Sequence, residues 1–285
     1  MSNESQFIQD QGIFIPHKQP QHRDDEYDEY GFEILIKMQR EHFWYRGRHK
    51  LLLNALKKEI SQHFGGKNDL RAIDMGGGCG GWLEYLQAHN PNMFQQLALA
   101  DSSIRALSLA EAGVGSFAKR YQIDLLDLPW HEEWDVVFLL DVLEHIPDHT
   151  EVLRQIYRSM RPGGLLFVTT PALKLFWTYN DDVVLHQRRY SRQDYKTLAD
   201  DTGLELLRAD YFMFFLSPAL LLSRMLFRPP ALATPEQYRE HIAQTHEIPA
   251  KPINNILEKV FSIEASMVNS VRFPWGTSIM AVFKR

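Results

Sequence analysis

With 285 residues, 45% of them hydrophobic, and a formal net charge of −5, the chain is long enough to bury one large core plus an accessory cap. A pI near 6.2 without a dense Lys/Arg stripe argues against a nucleic-acid substrate, because neutralising a phosphate backbone needs such a patch. The one cysteine, Cys79, has no partner for an internal disulfide, so a reducing, cytoplasmic setting is expected.

Residues 1–30 read as a polar leader without a secretion signal, in which Asp24, Asp25, Glu26, Asp28 and Glu29 cluster. Its apolar residues Phe7, Ile8, Ile13, Phe14 and Ile15 leave two outcomes open, docking on the body or disorder. Helices are expected over 31–40 and 47–64. In the second, Leu51, Leu52, Leu56 and Ile60 recur near helical spacing and mark a face that packs on a sheet. A strand over 71–75 then turns into a helix over 82–88 through Asp74-Met-Gly76-Gly-Gly78-Cys-Gly80-Gly81. Glycines at alternate positions accept positive φ and admit a ligand against the backbone, beside the amides that open the next helix.

Strands over 97–100, 117–123, 136–140 and 165–169 alternate with helices over 104–112 and 151–160, the last closed by Arg161-Pro-Gly163-Gly164. That alternation marks a doubly wound, parallel α/β sheet. Ser191 and Asp194 form a capping box for a further helix that Gly203 stops. A sixth strand follows over 205–209 and a reversed seventh over 278–284. Gly76-x-Gly78-x-x-Gly81 also satisfies the dinucleotide fingerprint, and Asp101 closes the second strand where a ribose wants an acid.

Four features taken together resemble class I S-adenosylmethionine (SAM) methyltransferases: Asp74-x-Gly76-x-Gly78-x-Gly80; Asp101-Ser102; Asp124-Leu125 through Trp130 with the strand that ends at Leu140-Asp141; and Arg161-Pro-Gly-Gly. A dinucleotide dehydrogenase accounts for the first two alone. The resemblance implies a seven-stranded Rossmann-like sheet with its last strand antiparallel, a catalytic domain over 31–210, and SAM as cofactor. By the same resemblance, Asp74, Gly76, Gly78 and Gly80 form the cofactor turn and Asp101 with Ser102 holds the ribose. Asp124 and Leu125 meet adenine, Leu140 lies by the sulfonium, and Arg46 or Arg48 clamps the cofactor carboxylate.

The sulfonium already activates its methyl group, so the protein has to align an acceptor and, where needed, take its proton. His145, at the carboxyl edge of the fourth strand, is the first candidate base; His186, near Tyr190 and Trp177, is the second. The stretch Leu143-Glu144-His145-Ile146-Pro147-Asp148 is similar to ubiquinone-biosynthesis O-methyltransferases, which implies an oxygen acceptor. The same likeness implies a magnesium ion on Asp141, Glu144 and His145 if a helical turn brings them together; solvated carboxylates beside the cofactor are the alternative.

His42-Phe43-Trp44-Tyr45-Arg46-Gly-Arg48, His186-Gln-Arg188-Arg189-Tyr190-Ser191 and Pro274-Trp-Gly276-Thr-Ser278 resemble bacterial methyltransferases associated with glycan or lipid assembly, which implies a small or lipid-like acceptor. The aromatic residues 42–45 either roof the pocket or anchor the first helices. Residues 211–274 depart from the quinone enzymes and are expected to form a helical cap, with 275–285 returning to the sheet. The uncharged run from Tyr211 to Ser223, broken by Pro218, is too short for a bilayer of about 30 Å. It reads as a lid over the substrate pocket, or as a peripheral membrane contact through 211–228 with Arg224 and Arg228 at the headgroups. A helix over 253–271 carrying Ile256, Leu257, Val260, Phe261 and Met267 closes the cap. An RNA or protein methyltransferase, or a non-catalytic SAM-binding accessory protein, are the alternative functions.

Overall fold

The computed structural model describes residues 6–18, 20, 31–67, 69–226, 237 and 247–285. The acidic cluster of the leader, most of the stretch from 227 to 246, Arg228 and the Arg224 side chain lie outside the described residues. The chain begins with β1 (Phe7–Asp10) and β2 (Ile13–Pro16), then α1 (Gly31–Glu41), α2 (Phe43–Phe64), β3 (Arg71–Met75), α3 (Gly81–His89) and β4 (Gln96–Asp101). It continues through α4 (Ile104–Leu109), α5 (Glu111–Val114), β5 (Ala118–Gln122), β6 (Trp134–Leu140), α6 (His149–Ser159) and β7 (Met160–Pro171). The last elements are α7 (Tyr179–Val183), α8 (Arg192–Thr202), β8 (Glu205–Phe212), α9 (Ser217–Leu226), α10 (Lys251–Met267) and β9 (Ser278–Lys284).

The described strands form one sheet in the order β1-β2-β5-β4-β3-β6-β7-β9-β8, parallel from β2 to β7 and antiparallel at β1/β2, β7/β9 and β9/β8. Seven of these match the expected sheet, including the reversed last strand; the count rises to nine because residues 7–16 dock as a hairpin. Ile13 and Phe14 pair with Arg120 and Tyr121 of β5, and Phe7 and Phe14 pack on the Tyr121 ring. Of the two outcomes left open for the leader, this part follows docking.

The central strands are buried on both faces, as a parallel sheet between helix layers requires. Val136 and Phe138 of β6 and Leu165 and Phe167 of β7 join one core with α2, α3 and α10, while Val137, Leu139, Leu166 and Val168 join the other with α6 and α8. One boundary needs correction. Residues 161–164 do not end a helix: α6 stops at Ser159, and Met160 already pairs with Trp134. Pro162 disfavours helix and Gly163 takes φ 81°, so the segment becomes the irregular start of β7.

The helix α2 begins at Phe43, earlier than expected, because its start is capped twice. His42 Nδ1 accepts from the Trp44 amide at 3.2 Å, and Asn254 of α10 accepts from the Phe43 amide while donating to Glu41 O, both at 2.9 Å. Further along, Phe261 of α10 lies directly on Gly47, where any Cβ would enter its ring. Asn54 donates to Ala265 O at 3.0 Å and Asn269 to Asn54 O at 2.9 Å. The described part of 211–274 is therefore fastened along α2. No described helix is long and apolar enough to cross a membrane.

Candidate functional site

The carboxyl ends of β3, β4, β5 and β6 open into a cleft of about 1200 Å³, its mouth included, at the point where the chain order of the strands reverses. After β3 the backbone takes φ 70° at Gly76 and 57° at Gly78. A Cβ on Gly76 would strike Val142, so this position has to stay bare. The Gly76 amide is fixed to Ala100 O at 2.7 Å, and the Gly78 amide donates to Asp101 Oδ2 at 2.9 Å. Asp101 Oδ1 accepts from the Ser103 amide at 2.9 Å, so β4 presents this carboxylate in one orientation, beside Ser102 on the cleft wall. Gly80 caps α3 against Val114 and Leu99 and shapes the turn without lining the cleft.

Asp74 lines the floor. Its Oδ1 is buried and has no hydrogen-bond partner among the described residues. Burial pushes this carboxyl up to about 8, with Arg48 opposing the rise and Asp101 adding to it. Arg48 also lines the cleft; it is buried, paired with Asp141, and stacked 4.8 Å from the Trp44 ring centroid and 5.1 Å from that of Tyr45. Its Nε is buried without an acceptor among the described residues. Asp141 holds φ 57°, a conformation aspartate tolerates better than most residues. The sequence left Arg46 and Arg48 as equals, and the two lie apart: Arg48 lines the cleft, whereas Arg46 is turned away from it and pairs with Glu258 of α10 at 2.9 Å. One helix cannot point residues i and i+2 the same way.

On the adenine side, Asp124 and Leu125 line the cleft with Ile123 and Leu126, and Asp124 Oδ1 accepts from the Leu126 amide at 2.9 Å, closing the turn that carries them. Leu140 and His145 form the opposite wall. His186 stands behind His145, their ring centroids 4.9 Å apart, and does not itself line the cleft. Its Nδ1 is 2.9 Å from Asp181 Oδ1, and Asp181 is held by Arg189 at 2.7 and 3.0 Å. Burial works to raise the Asp181 carboxyl, but bonds from His186, Arg189 and the Thr178 amide win and bring it down to about 2.

Residues 37–209, more than half of the chain, match a family described as a methyltransferase domain. The chain belongs to that family. The methyltransferase is 28% identical over 135 residues to a ubiquinone biosynthesis O-methyltransferase of Pseudomonas savastanoi pv. phaseolicola, covering 42% of this chain and 54% of that one. It thus spans about half the length of the curated relatives it matches. The fold is also that of a sarcosine dimethylglycine methyltransferase candidate from Galdieria sulphuraria (16% identity, TM-score 0.53, 81% and 84% of the two chains). It is shared with Haemonchus contortus phosphoethanolamine N-methyltransferase 2 in complex with S-adenosyl-L-methionine (17%, TM-score 0.51, 81% and 52%).

The fold is that of class I methyltransferases, and the cleft fits SAM. A buried acceptor at Asp74 Oδ1 and a buried donor at Arg48 Nε, neither hydrogen-bonded among the described residues, suit the ammonium and carboxylate of a free amino acid. The magnesium arrangement does not fit. Asp141 is occupied by Arg48, and residues 141–148 run as turns, without the helical turn that would group Asp141 with Glu144 and His145. Instead Glu144, His145 and His186 bring one ligand atom each within 4.8 Å of one another, a set of one carboxylate and two imidazoles, whereas magnesium favours oxygen ligands. Glu144 is fully buried, with neither oxygen hydrogen-bonded among the described residues and Oε1 3.9 Å from His186 Nε2, and burial followed by the nearby Asp141 raises its carboxyl well above the usual range.

Sequence reasoning missed the part that α1 plays in the roof. Phe32, Leu35 and Gln39 of α1 and Trp44 and Tyr45 of α2 cover the cleft, while none of the described residues from 211 to 274 lines it. For the cluster at 42–45 the roofing alternative holds at Trp44 and Tyr45, and the anchoring one at Phe43, which is buried in the core. The contact of Gln39 Oε1 with the Gly81 amide at 3.2 Å ties that roof to the cofactor turn.

Proposed function

We propose that the protein moves the methyl group of SAM to a hydroxyl oxygen of a small or lipid-like acceptor, with His145 taking the hydroxyl proton. The observation that carries this reading is the pair of buried, incompletely bonded groups, Asp74 Oδ1 and Arg48 Nε, on the same cleft that the Asp101 carboxylate lines. A buried polar atom without a partner costs roughly 1–3 kcal/mol, and a ligand that completes it recovers that cost. Asp74 takes the ammonium, Arg48 the carboxylate, Asp101 and Ser102 the ribose, and Asp124 and Leu125 the adenine, which leaves the sulfonium methyl near Leu140.

The acceptor enters beneath Phe32, Leu35, Trp44 and Ile146, an apolar roof that suits a hydrophobic molecule. Attack by its oxygen on the methyl carbon forms the O–C bond while the S–C pair returns to sulfur, giving a neutral thioether. The released proton goes to the His145 imidazole, and His186, backed by Asp181, positions that ring from behind. The likeness to O-methyltransferases supports oxygen as the receiving atom. Incubating the protein with isotopically labelled SAM and cell extract, followed by mass spectrometry, identifies the acceptor. With it, His145→Ala is expected to lower turnover roughly 10²–10⁴-fold while S-adenosylhomocysteine binding stays intact. Unchanged turnover would contradict the base role.

A further inference from the structure

Helix α10 carries two apolar stripes. Leu257, Phe261, Ala265 and Val268 turn inward to α2 and the core. On the outer face, Ile253, Ile256 and Ile263 stand 55%, 61% and 59% exposed. A surface helix ordinarily keeps that face polar. The outer stripe also continues past the end of the helix. Glu264 accepts from the Phe215 amide at 3.1 Å, which holds the exposed Phe215 at the C-terminal part of α10. The Phe215 ring lies 5.5 Å from Phe273, and the exposed Trp275 packs 4.8 Å from Phe214 in the same aromatic group.

The exposed charges of the helix and its C-terminal flank are basic. Exposed residues between 251 and 275 include Lys251, Lys259 and Arg272 and no acid, because Glu258 is taken by Arg46 at 2.9 Å and Glu264 is buried under the Phe215 amide; Arg272 lies 3.8 Å from the buried Asp210, and the exposed Glu247 precedes the helix. We propose that this outer face of α10, with Phe215 and Trp275, docks in the plane of an anionic lipid bilayer. The isoleucines and aromatic rings enter the boundary of headgroups and acyl chains, and Lys251 and Lys259 meet lipid phosphates. A second copy of the chain fits worse, since a two-fold contact over the isoleucines would set Lys251 and Lys259 against their own copies. Because α10 is fastened along α2, and the first turn of α2 roofs the cleft, docking there would hold the roofed site beside the bilayer. The proposal stands independently of the methyl-transfer reading.

The full chain, mixed with vesicles of phosphatidylcholine and phosphatidylglycerol and sedimented, is expected to bind, and to bind at least tenfold more weakly to phosphatidylcholine alone. The triple variant Ile253→Ser, Ile256→Ser, Ile263→Ser, altered only at exposed positions, should lose at least tenfold in vesicle affinity while keeping its melting temperature. Lys251→Gln with Lys259→Gln should remove part of the salt dependence. A photo-crosslinking side chain placed at position 256 should then label lipid. Failure of the parent protein to bind, equal binding by the triple variant, or crosslinks to a second copy, to another protein or to residues 227–246 would overturn the proposal.

Discussion

Asp74 is the residue whose chemistry changes most on ligand binding. Held at about 8 by burial, it keeps its proton at pH 7 in the free protein, yet an incoming ammonium needs it ionised. Cofactor binding at pH 7 should therefore expel up to one proton, read as a calorimetric heat that varies with the ionisation enthalpy of the buffer. Affinity should climb by up to about tenfold per pH unit towards pH 8, where the ligand's own amino group, with a pKa near 8, begins to lose its charge. Asp74→Asn should abolish the buffer dependence and weaken binding; equal heats in all buffers with the parent protein would place Asp74 outside the site. At this scale much was legible. Asp74, Gly76, Gly78, Asp101 and Asp124 belong to local motifs at strand ends, and each falls on the cleft or its turn. Arg48 was not separable from Arg46, because choosing between them needs the phase of α2 and the position of Asp141, which faces Arg48 across 93 residues of sequence.

At the level of elements, the site depends on how α2 is held. Arg48, Trp44 and Tyr45 sit on its first turns, and α10 clamps those turns through Asn254 and through Phe261 on Gly47. Gly47→Ala is expected to cost roughly 1–3 kcal/mol as an overpacked contact, measurable by denaturant unfolding. It should also weaken S-adenosylhomocysteine binding by moving Arg48, and full stability with full affinity would refute the clamp. The sequence showed α10 as an amphipathic helix but not its partner, since helix–helix pairing leaves no local signal. The hairpin at 7–16 was hidden for a related reason: two four-residue strands become strands only by pairing with β5. The expected role of 211–274 as a lid arose from apolar composition, which a helix packed on α2 satisfies equally well.

For the whole molecule, buried ionisable groups shape stability against pH. His49 is lowered well below 6.5 by burial, then by Arg48 and His89, so the unfolded chain binds a proton that the folded one refuses. Its contribution is lost as pH falls below about 6.5. Asp181, brought down to about 2, adds a further loss as pH falls from about 4 to about 2. Asp74 and Glu144 act with the opposite sign: raised in the folded state, they hold protons that the unfolded chain releases, and for Asp74 stability drains away as pH climbs from about 4 towards 8. From about pH 7.5 to 8, above the titration of His49 and His149 in the unfolded chain, the raised acids govern the slope, so the melting temperature of the free protein is expected to fall there, and to fall less for Asp74→Asn. A rise over that window would contradict these assignments. The claim on which all of this rests is that the cleft between β3, β4 and β6 takes a sulfonium nucleoside, and isothermal titration with S-adenosylhomocysteine tests it most directly. One site per chain is expected, weakened roughly 10–100-fold by Asp101→Ala, with no heat from NADH. Silence towards S-adenosylhomocysteine alongside tight binding of NADH would contradict it.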